Sequence, residues 1–331
     1  MKLCMIGCGN FARQLHGPAQ QRCAAQDPGL VLAACCDIDG ARARDYAATF
    51  GYARHYADPA ALLATERPDA VVLAVPPEVT CAAASQVLLT GIPLLLEKPP
   101  GRSAAELARL VAAAAKGGGP AQVGFNRRHM PVLRRARAIL DADFAATPAV
   151  RIDYEMLRFD RWDRDFSTTA VHAIDAVRFL AGSPFRTARF DYQPLVGGER
   201  ETAGVSLDLE CVSGLRARLE IQPVAGLNTE RVRIHAVGQT LAITIPYPGQ
   251  RSSDGAVEHW RGDELVAEFS DAGCDVFEKM GVLDETRSFL AAVRSGTGFR
   301  PGLAECHQPV ALMEAMRLRL SEPRDLAGAP V

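Results

Sequence analysis

The chain has 331 residues, 48% of them hydrophobic and 23% charged, which suits a globular protein and is long for a single core. A net charge of −2 offers no electrostatic basis for binding nucleic acid or an anionic membrane surface. No apolar run approaches the roughly 18 uninterrupted residues needed to span a bilayer.

The first residues, Met1 to Ile6, run directly into a glycine-rich turn without the charged and apolar regions of a secretory leader. The nine cysteines are odd in number and form no C-x-x-C pair, and several lie inside apolar runs, as Cys35 and Cys36 do. Cys4 and Cys8 lack a second cluster that would complete a zinc site, so no metal site is expected. Reduced, buried thiols and a cytoplasmic location follow as expectations.

Up to about residue 125, short apolar runs alternate with helical segments. Leu3–Ile6, Leu30–Cys36, Ala70–Val75, Pro93–Leu96 and Ala121–Val123 read as strands bounded by turn residues. Ala41–Phe50, Ala60–Glu66, Cys81–Thr90 and Ser103–Ala115 are alanine-rich and long enough for helices. Ser103 with Glu106 fits a capping box, and Gly117–Pro120 a helix stop. This alternation predicts a doubly wound α/β Rossmann domain over residues 1–124.

Beyond it, residues 125–331 read as an α+β domain with a largely antiparallel open sheet. Helices are expected over Arg127–Leu140 and Thr169–Leu180, with a strand between them at Val150–Leu157. Strands follow over Thr187–Leu195, Thr202–Cys211, Leu215–Gln222, Arg231–Val237 and Leu241–Ile245 without intervening helices. Two helices, Val276–Ser295 and Leu303–Leu320, close the fold ahead of a small, polar tail at Ser321–Val331.

Gly7-Cys8-Gly9-Asn10-Phe11-Ala12 fits G-x-G-x-x-[GA] after a strand and before a helix, the context a dinucleotide turn requires. Gly7 permits the tight turn, Gly9 lets the backbone approach a pyrophosphate, and Ala12 allows close helix packing. Asp37, at the end of the second strand, can accept from the ribose hydroxyls, which favours NAD. Alternatively it caps the next turn beside Asp39, and Arg42 or Arg44 takes the 2′-phosphate of NADP.

Glu97-Lys98-Pro99 directly follows an apolar strand, at the carboxyl edge where open α/β sheets bind ligands. Gly124-Phe125-Asn126-Arg127-Arg128, His172-Ala173-Ile174-Asp175 and Phe179–Gly182 follow in order. In these motifs and their sequence the chain resembles the family of glucose-fructose oxidoreductase and inositol 2-dehydrogenase, known as Gfo/Idh/MocA.

The resemblance implies an NAD(P)-dependent dehydrogenase or reductase acting on a CH–OH group of a sugar, inositol or keto-sugar. Lys98 and His172 would be catalytic, Lys98 stabilising the developing oxyanion and His172 taking the hydroxyl proton. The implied cofactor contacts are Gly7, Gly9, Asn10, Phe11, Ala12, Asp37, Pro76, Glu97 and Lys98, with a cis bond before Pro99. Asp175, one turn after His172, would orient the imidazole or meet substrate.

Thr168 departs from the family pattern, which places an aspartate four residues before the histidine; a hydroxyl binds substrate but does not take a proton as a carboxylate does. Arg127, Arg158, Trp162 and Arg164 are further candidates for substrate contact, with the alternative that 158–165 is an exposed salt-bridged loop. Two other functions stay open: NAD-dependent glycoside cleavage, and a non-catalytic regulator sensing dinucleotide and sugar. By analogy, and from segments such as Leu241-Ala242-Ile243-Thr244-Ile245, the sheet face away from the helices is expected to pack against another subunit in a homodimer or homotetramer.

Overall fold

A computed structural model describes residues 1–163, 165–247 and 254–326. The chain separates into two units, one of residues 1–126 with 276–310 and one of 127–275 with 311–331. The sequence-based division at 124/125 differs from this in one segment: Val276–Val310 returns to the first unit, because its apolar helix face finds its partners there. Among the described residues no helix is long and apolar enough to cross a membrane.

The first unit holds a six-stranded parallel sheet in the order β3-β2-β1-β4-β5-β6, the Rossmann arrangement. The strands are β1 (Lys2–Ile6), β2 (Val31–Cys36), β3 (Arg54–Tyr56), β4 (Ala70–Leu73), β5 (Leu94–Glu97) and β6 (Ala121–Gly124). Every residue of β4, β5 and β6 is buried, as the continuous apolar runs require of a sheet covered on both faces. The short, polar β3 was absent from the sequence reading; it pairs only along the sheet edge.

The helices of this unit are α1 (Gly17–Gln26), α2 (Gly40–Phe50), α3 (Pro59–Glu66), α4 (Pro77–Leu88) and α5 (Ala104–Gly117). Ser103 Oγ accepts from Glu106 N at 3.2 Å, as a capping box predicts, but Glu106 reaches back to Arg102 N (2.7 Å) rather than to the cap residue. The segment expected as one helix from Val276 is two, α8 (Val276–Lys279) and α9 (Val282–Ser295), broken at Gly281. Helix α9 packs against α1, burying Leu283, Phe289 and Leu290 on its apolar stripe. The following chain lies along β6, where Val123 N donates to Pro301 O at 2.8 Å.

The second unit holds a nine-stranded sheet in the order β14-β13-β12-β11-β7-β10-β9-β8-β15. Its strands are β7 (Arg151–Phe159), β8 (Phe185–Gly197), β9 (Arg200–Cys211), β10 (Arg216–Ala225), β11 (Thr229–Ala236), β12 (Gln239–Thr244), β13 (Ala256–Arg261), β14 (Glu264–Ser270) and β15 (Arg324–Asp325). All neighbours are antiparallel except β7 and β10, so the sheet is largely antiparallel as the sequence indicated. Helices α6 (Pro131–Asp143) and α7 (Ser167–Ala181) cover one face, and α10 (His307–Arg317) closes the chain's helical content.

The β13–β14 hairpin was not anticipated. Its signal is present at Gly262-Asp263, where both residues take positive φ (57° and 70°) in the manner of a type I′ turn between alternating strands. The face away from the helices is charged: Arg151 pairs with Asp153, and Arg218 with Glu220 and Asp208. Leu241, Ile243 and Ile245, expected on the face toward another subunit, are instead buried in the chain's own core. Residues 327–331 of the polar tail, and Arg164, lie outside the described residues.

Candidate active site

All six strands of the first sheet are parallel, so their carboxyl ends form one edge, and four of these ends carry the expected cofactor residues. Gly7 follows β1, Asp37 follows β2, Pro76 caps α4 shortly after β4, and Glu97 ends β5 with Lys98 next. Strand order places β1 and β5 on either side of β4. One edge thus assembles the glycine turn and the lysine.

Gly7 adopts φ +93°, and a Cβ there would lie 2.0 Å from the Ala74 carbonyl oxygen, so no other residue fits. Its N–H donates to Cys36 O at 2.8 Å. The next amide, Cys8 N, donates to Asp37 Oδ2 at 2.9 Å, tying the turn to the end of β2. A Cβ on Gly9 would meet no protein atom within 4 Å. Internal packing therefore does not ask for glycine at position 9; close approach of an outside group such as a pyrophosphate does. Asn10 and Phe11 are exposed beside it, while Ala12 is buried where a larger side chain would part helix from sheet. These residues fit a dinucleotide.

The turn-capping role open to Asp37 is present, its Oδ1 accepting from Asp39 N at 3.0 Å, while Asp39 caps α2 by accepting from Ala41 N and Arg42 N. The other oxygen of Asp37 accepts from Cys8 N, so the same carboxylate joins the glycine turn to this loop. Arg42 lies 3.3 Å from the Asp37 carboxylate and also pairs with Asp39. Its guanidinium is thus already engaged by two acids.

Glu97 is buried, with Oε1 2.7 Å from His16 Nε2. His16 sits at the end of a π-helical turn, Ala12–His16, that leads into α1. Lys98 is half-buried, and the Lys98–Pro99 bond is cis, as the resemblance implied. Neither His16 nor the π turn figured in the sequence reading, since an i to i+5 turn has no composition signal.

In the second unit, Thr168, His172 and Asp175 lie on α7 at spacings of four and three, along one stripe of the helix. His172 is 8% exposed and Thr168 half-buried. Asp175 is fully buried and bound by the Arg128 fork, Nε at 2.8 Å and Nη2 at 2.6 Å. That bidentate pair gives Asp175 a partner other than the imidazole or substrate. Arg128 was part of the motif, but the sequence assigned it no task.

Arg127 also departs from expectation. It is 4% exposed and engages Glu230 with Nε and Nη2, both at 2.7 Å. Arg158 lies within β7 rather than in a loop, points to the covered face with no exposure, and pairs with the same Glu230. Its guanidinium stacks 4.1 Å above the Tyr247 ring. Tyr154 hydroxyl completes the contacts of Glu230. Burial alone would raise the Glu230 carboxyl, but the charges of Arg127 and Arg158 bring it down to about 2. The two arginines form a structural ion network, not a binding surface, because Glu230 occupies the face they turn inward.

Trp162 lies in the loop after β7. Its Nε1 donates to Asp160 Oδ1 at 2.8 Å and Arg200 stacks 4.8 Å from its ring. Gly197 at the β8–β9 turn approaches so closely that a Cβ would stand 2.4 Å from the indole. Among the described residues no group of three or more His, Cys, Asp or Glu is arranged to hold a metal ion.

Comparison with known proteins agrees with this geometry. Residues 1–125 match the model of an oxidoreductase family with an NAD-binding Rossmann fold, Gfo/Idh/MocA. Inositol 2-dehydrogenase 1 of Saccharopolyspora erythraea is 30% identical over 230 residues, covering 66% of this chain and 67% of the relative. The chain belongs to the Gfo/Idh/MocA oxidoreductase family.

Other members extend the likeness over the whole chain. Inositol 2-dehydrogenase 2 of the same organism is 27% identical across an alignment covering all of this chain and 97% of the relative. An oxidoreductase from Agrobacterium radiobacter, solved with NAD+, L-tartaric acid and magnesium, superposes with a TM-score of 0.80 at 20% identity, covering 99% of this chain and 98% of that one. The Gfo/Idh/MocA fold, a Rossmann sheet followed by a mostly antiparallel sheet, is therefore shared from end to end. This member is an NAD-binding oxidoreductase of the sugar and inositol dehydrogenase type.

Proposed function

We propose that the chain oxidises a secondary hydroxyl of a cyclic sugar or inositol, or reduces the corresponding ketone, with NAD as its cofactor. The observation that carries this reading is the single sheet edge bearing both the Gly7–Ala12 turn and the Glu97-Lys98-Pro99 end of β5. Asp37 favours NAD: its carboxylate stands at the end of β2 with Arg42 already paired to it, so a 2′-phosphate would meet negative charge.

Bound on that edge, the dinucleotide supplies the hydride acceptor. Lys98 holds the substrate oxygen and stabilises the negative charge that develops as the hydroxyl proton leaves. His172 receives that proton; an imidazole titrates close enough to neutral pH to accept and return it. Thr168 offers the substrate a hydroxyl, which does not take a proton as a carboxylate does, leaving proton transfer to the histidine. The same reading includes a homodimer or homotetramer assembled through the uncovered face of the nine-stranded sheet. It also includes a reducing, cytoplasmic setting, supported by nine cysteines of which eight are buried.

The test is turnover with a panel of inositols, aldoses and keto-sugars, read by NADH absorbance, after calorimetric titration with NAD and NADP. NAD binding in preference to NADP, and cofactor reduction with at least one polyol, are expected. Lys98→Ala should lower kcat by about a thousandfold while NAD still binds. Parental turnover in that variant would overturn the assignment. Sugar and NAD binding without any chemistry would favour a sensing role, and glycoside hydrolysis without net NADH the cleavage alternative.

A further inference from the structure

Glu97 ends β5 one residue before Lys98, and its carboxylate is set between two neighbours inside the first unit. Beneath it is Gly124 on β6, its register partner, where a Cβ would come 3.2 Å from Oε1. Facing it is His16, entirely buried, with Nε2 at 2.7 Å, a bond in which the ring N–H donates to the carboxylate. Helix α9 of the same unit carries Glu285, fully buried, neither of whose carboxyl oxygens has a protein hydrogen-bond partner. Burial, and secondly the charge of Glu97, hold the Glu285 carboxyl well above the ordinary carboxylate range. Gln122 fixes that helix by donating from Nε2 to the Glu285 backbone carbonyl at 3.4 Å.

His16 reaches this position only because the chain after the glycine turn runs as a π turn from Ala12 to His16. The edge of the Phe11 ring packs on the imidazole, with centroids 5.6 Å apart. A buried polar pair of this kind is a poor source of stability, since apolar side chains of similar volume do as well or better. What it does supply is a fixed position. Lys98 follows Glu97 directly at the bend that ends β5, so pinning the Glu97 side chain fixes the backbone from which Lys98 projects.

We propose that His16 is a positioning residue for the reaction: by holding the Glu97 carboxylate over Gly124 it fixes the strand end from which Lys98 acts. The inference rests on the reading that Lys98 meets the reacting oxygen. A displacement of about 1 Å in such a group costs about a hundredfold in rate, so the effect belongs in kcat rather than in affinity.

The experiment compares His16→Leu, His16→Gln and His16→Asn, with Glu285→Gln as a packing control and Lys98→Ala as the test of the underlying reading. His16→Leu should lower kcat at least tenfold while KM for the polyol and Kd for NAD stay within threefold. His16→Gln, whose amide N–H can reach Glu97, should recover most of the rate; His16→Asn, too short to reach, should not. Glu285→Gln keeps the shape of the side chain and should stay within threefold of the parent.

Parental kcat in His16→Leu would overturn the proposal. So would equal loss in the Gln and Asn variants, a loss expressed wholly as weaker NAD binding, or a loss in Glu285→Gln as large as in His16→Leu. If His16→Leu does not fold, the Gln-against-Asn comparison decides alone. Parental turnover in Lys98→Ala would remove the underlying reading instead, whatever the His16 variants do.

Discussion

Glu230 governs the most consequential residue-scale balance in the second unit. It sits opposite Met156 in the β7–β11 register, diagonal to Tyr154 and Arg158, and Arg127 reaches it as well. Two guanidinium groups depend on one carboxylate in a site without solvent. Glu230→Gln should therefore cost about 3–5 kcal/mol in denaturant unfolding, mainly because it leaves two buried cations unbalanced. The pH dependence follows from the sign of the shift. The carboxyl is held at about 2 in the folded chain against 4.5 ordinarily, so its contribution is complete above 4.5 and is lost as pH falls toward 2. A melting temperature that does not fall over that window, or falls equally in Glu230→Gln, would contradict this account.

At the scale of elements, the glycine turn and α9 make opposite demands. The turn must keep its backbone conformation: Gly7→Ala drives a methyl into the Ala74 carbonyl, and NAD binding should fall below detection in calorimetry while the second unit is untouched. Helix α9 carries Glu285 on its apolar stripe, three residues after Val282 and four before Phe289. Its carboxyl is raised by burial and by Glu97, so stability is highest below its ordinary value of 4.5 and is lost as pH rises above it. Glu285→Gln removes that loss and should raise the melting temperature more at pH 8 than at pH 5. Glu285 was not among the residues singled out in the sequence, although a carboxylate inside a hydrophobic helix face is a legible pattern there. His16 gave no such signal, because its inward direction depends on a π turn.

At the scale of the molecule, the first unit is completed from a distance. Residues 1–126 lack α9 and the segment along β6, both supplied after residue 276. A fragment of residues 1–126 should be insoluble or molten, and co-expression with 276–310 should recover a cooperative melt; a folded 1–126 fragment would contradict this. The uncovered sheet face of the second unit is lined with Arg151, Asp153, Arg218 and Glu220, so an interface there would be charged and salt-sensitive. A light-scattering mass of one chain at low salt would argue against assembly.

What the sequence determined is what local chemistry determines. Apolar runs of strand length bounded by turn residues gave the parallel sheet. The spacing of Gly7, Gly9 and Ala12 gave the dinucleotide turn, and the order of the motifs through His172 gave the family. The tertiary structure decided which polar groups are used up inside the protein. Arg127 meets Glu230 across 103 residues, Glu97 meets His16 across 81, and Arg128 meets Asp175 across 47. An arginine that binds a ligand and one that neutralises a buried carboxylate look alike in sequence. They differ only in whether the folded chain brings an opposite charge into a site that water cannot reach, where an unpaired ion costs several kcal/mol.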